Sequence, residues 1–597
     1  MIRFSTREVQ IGNRPLGGLN PIRLQSMTNT PPLDIKTTVE QAIRIFEAGA
    51  DYVRISTPSR QSALNLESIK KELRLAGFDQ PLVADIHFNA DLALIAARLV
   101  EKVRINPGNY TGIPRKGQTE WTDAEYATEL EKVRQNMAPL IAVCREYGTA
   151  LRIGTNFGSL SQRIISRYGN TPEGMVQSTV EFLKIFEDLG FYQSVVSLKA
   201  SNPLIMIRSY LLMVERMQFE GMAYPLHLGV TEAGEGENGR IKSALGIGTL
   251  LKMGIGDTIR VSLSEAPEDE IPVARKIVDP YQQNFTSALS VKEPFRVPDF
   301  DWKSNYTPAL PGGCKATVVQ SFTERGNTGK KPDLFLLEKS LEKISNPDAA
   351  FHGEVLDTIG ENRYPLFYLT ETEINNSPLH PEFNFFKADF PLQTHLLEKL
   401  KQVPGPVLFF SFPERELSKT TEELYQLLEK WQIKAALVPR LAYSQPDREV
   451  LMLSLTADAG ALLLQRKIHG LWVEAPNLHK KSHLTDICFG LLQACGLRIT
   501  STEFISCPTC ARTSFDLLTL LQQVKEKTSQ FPGLKIAVMG CVVNGPGEMA
   551  DADFGIMGAG PGKVHLYKGT EPLVKNIDQD KAASVLEKTI KKLKFND

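Results

Sequence analysis

Eight short apolar segments recur across roughly the first 265 residues, at 22–27, 52–56, 82–86, 102–105, 150–154, 194–198, 225–229 and 258–263. Amphipathic stretches separate them, among them 38–48, 89–98, 124–147, 172–189 and 202–216, and 271–277 begins an eighth. Strand-length runs alternating with helical periodicity build parallel β/α units, and eight such units close a (β/α)8 barrel. A doubly wound open sheet is the competing solution.

These strands share an unusual habit, a basic residue at or near the C-terminal end. It appears in Val53-Arg54-Ile55, Val103-Arg104-Ile105, Leu151-Arg152-Ile153, Leu198-Lys199-Ala200 and Ile259-Arg260-Val261. A barrel binds its ligands at the C-terminal mouth, so five cations there converge on one ligand. Any one of them alone reads as a strand-end side chain reaching solvent. Together they need an anion to offset the cost of burying like charge, and a diphosphate has the charge and the acceptor oxygens. Asp85 and His87 follow strand three, Asn106 follows strand four and Asn156 strand five. His227 ends strand seven with Glu232 just beyond it, and Ser262 and Ser264 close strand eight.

The rest of the chain differs. A loop-rich stretch follows Asp279, and looser α/β alternation resumes to about residue 480, with strand candidates at 316–320, 334–337, 365–369, 407–410, 435–438 and 470–473. That stretch reads as a second α/β domain, a scaffold or degenerate barrel without ligand-spaced His, Cys, Asp or Glu. The expected organisation is a TIM-barrel domain over 1–285, an α/β insert over 286–481 and a C-terminal α+β domain over 482–597.

The last domain carries Cys507-Pro508-Thr509-Cys510, then Cys541, then Asn544-Gly545-Pro546-Gly547-Glu548. C-x2-C is the spacing at which two thiolates of one turn grip one metal centre. Three thiolates and one oxygen donor suit an iron–sulfur centre with a replaceable site better than a closed structural zinc, although a zinc site completed by Cys495 is the alternative. Cys488 and Cys495, seven apart on an apolar helix, read as small buried hydrophobes. Two nucleotide motifs fail on chemistry. Gly234-Glu235-Gly236-Glu237-Asn238-Gly239 places two carboxylates where a pyrophosphate would sit, and 558–563 has Met557 and Val564 where a P-loop needs Gly and Ser or Thr.

With 68 basic and 69 acidic residues the net charge is -1, so no global field draws nucleic acid. Seven cysteines in 597 residues are not a disulfide framework and point to a reducing compartment. No apolar run spans a bilayer and the first residues do not form a signal peptide, so the expectation is a cytoplasmic protein with no membrane partner.

The cysteine block, with Gln25-Ser26-Met27-Thr28-Asn29-Thr30 and Ala84-Asp85-Ile86-His87-Phe88, closely resembles the (E)-4-hydroxy-3-methylbut-2-enyl diphosphate synthase family at both ends of the chain. The resemblance implies a [4Fe-4S] cluster on Cys507, Cys510, Cys541 and Glu548. It also implies reductive ring opening and dehydroxylation of 2-C-methyl-D-erythritol 2,4-cyclodiphosphate, with ferredoxin or flavodoxin as electron donor. Carried onto this sequence, Arg54, Arg104, Arg152, Lys199 and Arg260 would grip the diphosphate. Asp85, His87, Asn156, Ser262 and Asn544 would position it, and Glu232 would deliver a proton. The 200-residue insert departs from the shorter bacterial pattern and matches the three-domain type, as a monomer or homodimer; the lack of a leader favours a bacterial source. A zinc-stabilised phosphate-binding protein and a barrel lyase without redox chemistry are the alternatives.

Overall fold

The computed structural model describes residues 3–86, 90–110, 120–282, 310, 316–321, 332–337, 354–357, 363–370, 374, 379–389, 391–413, 416–478, 482–507, 513–541, 545–549 and 552–594. The chain forms two compact units, Met1–Pro298 together with Ser501–Asp597, and Asp299–Thr500.

In the first unit eight parallel strands follow one another in sequence: β1 (Arg23–Met27), β2 (Tyr52–Ser56), β3 (Leu82–Asp85), β4 (Lys102–Ile105), β5 (Ala150–Asn156), β6 (Ser194–Lys199), β7 (His227–Leu228) and β8 (Thr258–Ile259). Their order is β6-β5-β4-β3-β2-β1-β8-β7, and a parallel bridge from Val196 to Leu226 returns β7 to β6, closing the ring. The barrel expectation therefore holds and the open sheet does not. The last two strands are shorter than the sequence suggested. The N-terminal hairpin, paired Val9 to Leu16, plugs the bottom by packing Val9, Ile11 and Leu16 against Tyr52, Val83, Ala150 and Val195.

Helix starts follow local chemistry. Thr122 and Glu125 cap the helix Asp123–Tyr147 reciprocally, and Gly148, at φ +70°, ends it in the left-handed region. The C-terminal part of this unit is a five-stranded sheet of β17 (Glu503–Ser506), β18 (Lys535–Met539), β19 (Phe554–Gly560), β20 (Lys563–Lys568) and β21 (Glu571–Asp578). The strands β17, β18 and β19 run parallel, and β19–β21 form antiparallel hairpins. The helices Leu517–Thr528 and Gln579–Lys594 cover its Ile536, Val538 and Ile556 face.

The second unit is a closed barrel of β9 (Thr317–Ser321), β10 (Leu334–Leu337), β11 (Glu354–Asp357), β12 (Arg363–Tyr368), β13 (Asn384–Ala388), β14 (Pro406–Phe410), β15 (Ala436–Ala442) and β16 (Gly470–Glu474). All pairings are parallel except the two made by β11. Aromatic side chains fill its interior: Phe385 stacks on Phe409 at 6.0 Å, and Phe409 meets Trp472 edge-on at 5.2 Å. The helix Ser482–Ala494 belongs to this unit rather than to the cysteine-bearing domain, because it packs on the helix Arg448–Leu464 and on β9. The expected 285/286 boundary lies outside the described residues.

Candidate active site

Side chains of a strand alternate faces, so Tyr52, Arg54 and Ser56 share one face of β2, and Lys102 and Arg104 one face of β4. Register brings neighbours level: Asp85 beside Arg104, Arg104 beside Arg152, and Asn156 beside Lys199. Arg54, Asp85, Arg104, Arg152, Asn156, Lys199, Glu232, Arg260 and Ser262 are all buried, Arg152 at 1% exposure and Arg54 at 9%. The structure thus gathers the predicted basic set inside the barrel.

Two carboxylates fix part of this ring. Asp85 lies 3.2 Å from Arg104 Nη1 and 3.9 Å from Arg54 Nε. Glu270 meets Arg260 Nε and Nη2, each at 3.3 Å, while accepting from Ser26 Oγ at 2.7 Å and Leu263 N at 3.2 Å. Met27 Sδ accepts from Arg54 Nε at 3.0 Å and Nη2 at 2.8 Å. Arg104 Nη2 donates to Gly154 O at 2.8 Å. Two glycines make the space. A Cβ on Gly154 would stand 2.3 Å from Arg104 Nε, and one on Gly229 2.8 Å from Lys199 Nζ.

Burial and then the charges of Arg54 and Arg104 pull Arg152 well below the ordinary arginine range. Burial and then Arg152 and Arg54 do the same for Lys199. One layer deeper, Lys102 is fully buried with Nζ 4.1 Å from the centre of the Tyr52 ring, and burial, Arg152 and Arg54 depress it too. His227 is held well below its usual range by burial and by Arg152, so its imidazole is neutral at pH 7. Among the described residues Arg152 Nε and Nη1, Lys102 Nζ and His227 Nε2 have no hydrogen-bond partner. Buried donors of this kind are costly alone and suit a ligand with several anionic oxygens. Lys102 was missed in the sequence, although its two-residue offset from Arg104 signals the same inward face.

The thiols come from adjacent parallel strands. Cys507 follows β17 and Cys541 lies two residues beyond β18, so both leave one edge of the sheet. Both are partly exposed, whereas Cys144, Cys488 and Cys495 are buried. Cys507 Sγ accepts the Gly540 N–H at 3.2 Å. Burial raises the Cys144 thiol to about 12 and pushes Cys488 and Cys495 up as well, and Cys495 Sγ donates to Gly460 O at 3.9 Å. These three are packed hydrophobes. His87, Cys510 and Asn544 lie outside the described residues, as does the side chain of Glu548, whose backbone closes the short helix Gly545–Glu548. The donors that are described, two partly exposed sulfurs leaving adjacent strands at one end of the sheet, suit two ligands of an iron–sulfur centre.

That edge sits on the rim of the barrel in the same compact unit. Ala233, in the loop after β7, pairs with Ser506 in a parallel bridge. Ser264 Oγ, beyond β8, lies 2.7 Å from Ser506 Oγ and 3.3 Å from Cys507 O. Lys242 meets Glu503 at 2.7 Å and Lys525 meets Glu235 at 2.5 Å. On the other side Gly547 lies so close to Gly158 that a Cβ would fall 1.9 Å from its carbonyl oxygen. The sequence motif at 234–239 does not serve a nucleotide: Glu265 occupies the helix start, accepting Gly236 N at 2.8 Å and pairing with both Arg240 Nη atoms.

The fold and site define an α/β-barrel protein with a ring of buried cations inside the barrel and a pair of thiols docked on its rim. Residues 6–275 match the GcpE TIM-barrel domain and residues 503–592 the GcpE protein C-terminal domain. The chain is 44% identical to the 4-hydroxy-3-methylbut-2-en-1-yl diphosphate synthase (flavodoxin) of Phocaeicola vulgatus, over 100% of this chain and 98% of that one. It is 37% identical to the protein of that name from Leptospira interrogans, over 99% and 96%. With the ferredoxin-type, chloroplastic synthase of Oryza sativa subsp. japonica it shares 38% identity, over 99% and 87%. The chain belongs to the GcpE family of 4-hydroxy-3-methylbut-2-en-1-yl diphosphate synthases.

Proposed function

We propose that this chain converts 2-C-methyl-D-erythritol 2,4-cyclodiphosphate to (E)-4-hydroxy-3-methylbut-2-enyl diphosphate, taking up two electrons and releasing water. The observation that carries the reading is the set of buried polar atoms on Arg152, Lys102 and His227 without a hydrogen-bond partner among the described residues, roofed within one compact unit by the thiol-bearing edge. A [4Fe-4S] cluster held by Cys507, Cys510, Cys541 and Glu548 would supply electrons one at a time from reduced flavodoxin or ferredoxin.

The protein's own part is binding and proton management. Arg54, Arg104, Arg152, Lys199 and Arg260 take the diphosphate oxygens, with Asp85 and Glu270 holding three of the guanidiniums in fixed directions. His87, Asn156, Ser262 and Asn544 orient the carbon skeleton. The neutral imidazole of His227 adds a donor or acceptor without adding charge. Glu232 delivers the proton with which the departing hydroxyl leaves as water. Closure of the thiol-bearing domain over its own barrel excludes solvent from the reacting carbons, so one chain suffices for one site. The second unit, with its aromatic-filled barrel, serves as a spacer. A barrel domain ending near residue 285, a cysteine-bearing domain beginning at about residue 501 and a cytoplasmic location form part of this reading.

The test is turnover of the cyclic diphosphate by the anaerobically purified chain with a chemically reduced viologen or flavodoxin, product identified by mass. One dehydroxylated diphosphate per two electrons is expected. Tight binding of the substrate with no electron consumption would instead mark a binding protein.

A further inference from the structure

Glu232 has a backbone that its side chain does not favour. Its φ is +49°, in the left-handed region that residues other than glycine rarely adopt. Strain of this kind persists only where the surroundings impose it. What surrounds it is specific. On the N-terminal side, Thr231 N donates to Ala200 O at 3.1 Å, tying the loop to the end of β6. On the C-terminal side, Ala233 is bridged to Ser506, the residue before Cys507. Gly234, itself at φ +94°, accepts the Ser264 N–H at 2.9 Å.

Ser264 is therefore shared. Its backbone holds the loop that carries Glu232, while its hydroxyl holds the strand that leads to Cys507. Ser264 Oγ lies 2.7 Å from Ser506 Oγ and 3.3 Å from both Ser506 O and Cys507 O, with both serines buried. One hydroxyl has one proton and two lone pairs. Its hydroxyl partners, Ser506 Oγ, Ser506 O and Cys507 O, all belong to the docked domain. The ion pairs Lys242–Glu503 and Lys525–Glu235 flank this knot.

We propose that Ser264 is a positioning residue that couples seating of the thiol-bearing domain on the barrel to alignment of the Glu232 carboxylate. With the domain seated, the Ala233–Ser506 bridge and the Ser264 hydroxyl keep Glu232 in its left-handed conformation. With the domain withdrawn, the Ala233–Ser506 bridge and the Ser264 hydroxyl contacts are lost, and the Ser264 N–H to Gly234 O bond remains on that side. The acid is then assembled only when the electron-delivering edge is in place, which protects the substrate from proton transfer without reduction. This inference rests on the role given to Glu232 above.

The test is a double-mutant cycle on the full chain. Ser264→Ala keeps the backbone bond to Gly234 and loses only the hydroxyl. It is expected to lower kcat about ten- to a hundredfold, as an acid misplaced by about 1 Å does, with KM unchanged. On a Glu232→Gln background the same change should cost no further activity, because both act through one group. In the metal-free chain, amide exchange across residues 232–236 should rise at least tenfold with Ser264→Ala. Ser506→Ala removes the hydroxyl partner from the opposite side and should reproduce the pattern. Losses that multiply in the double mutant, unchanged kcat in Ser264→Ala, or unchanged exchange would each overturn the coupling. Full turnover by Glu232→Gln alone would instead overturn the assignment of Glu232, whatever Ser264→Ala does.

Discussion

Gly547→Ala probes the seating of the thiol-bearing domain on its barrel most sharply. A Cβ at this position would stand 1.9, 2.3 and 2.4 Å from the O, Cα and C of Gly158. Those are backbone atoms, so no rotamer change relieves the overlap, and reaching the 3.0 Å limit of real contacts requires the two segments to part by about 1 Å. The barrel side cannot give way cheaply. Its turn Phe157–Ser159 is backed by Gly108, where a Cβ would be 2.0 Å from Ser159 O, and Ser159 Oγ accepts from Asn106 Nδ2 at 2.9 Å. The docked domain must therefore retreat. A displacement of about 1 Å between reacting groups costs on the order of a hundredfold in rate, about 2.7 kcal/mol of barrier. Stopped-flow oxidation of a reduced viologen measures the loss, while calorimetry with the cyclic diphosphate should show affinity within threefold of the parent, because no cation of the cup moves. Parental kcat in Gly547→Ala would refute the docking geometry.

Other expectations follow from the cup. Gly154→Ala drives a methyl into Arg104 Nε and should weaken diphosphate affinity at least tenfold with little change in thermal midpoint; unchanged affinity would show that Arg104 does not touch the ligand. Glu270→Gln leaves the buried Arg260 guanidinium without its countercharge and should cost about 3–5 kcal/mol of stability by urea unfolding, a loss under 1 kcal/mol counting against the pairing. Lys102 and Lys199 are held well below 10.5 by burial and neighbouring cations, and an anion restores them towards it. Between the lowered values and 10.5 the unfolded chain binds more protons than the folded one, so stability of the ligand-free protein rises with pH and is lost as pH falls through the lowered values. Pyrophosphate binding should accordingly take up protons and weaken as pH rises across that window. Calorimetry in two buffers of different ionisation enthalpy reads the uptake, and Lys102→Met should reduce it; zero uptake would contradict the depressed amines.

The barrel and its basic ring were legible because strand spacing and a two-residue repeat are local properties. Arg54, Arg104, Arg152, Lys199 and Arg260 each sit where alternation alone turns them inward. Lys102 obeys the same parity yet reads as an ordinary lysine, since nothing local says that the strand is enclosed on both faces. Strands β11 and β13 of the insert were not foreseen: Glu354–Asp357 carries only two apolar residues, and Asn384–Ala388 is a short Phe-rich run that follows a proline-containing turn. Strands β19–β21 hid behind glycines and an edge whose residues are mostly exposed, so no apolar alternation marks them. Least legible of all was the docking interface. Gly158, Gly547, Ser264 and Ser506 are meaningful only when segments hundreds of residues apart meet, and no spacing rule encodes that.

The central claim is that thiolates leaving one sheet edge hold an iron–sulfur centre over the cationic cup. Counting iron and acid-labile sulfide in the full chain purified without oxygen, alongside its visible spectrum, tests it most directly. The account predicts about four of each per chain and a broad brown absorption that bleaches on reduction, lost in Cys541→Ala. A colourless preparation carrying zinc, or no metal, with sulfide absent would contradict it.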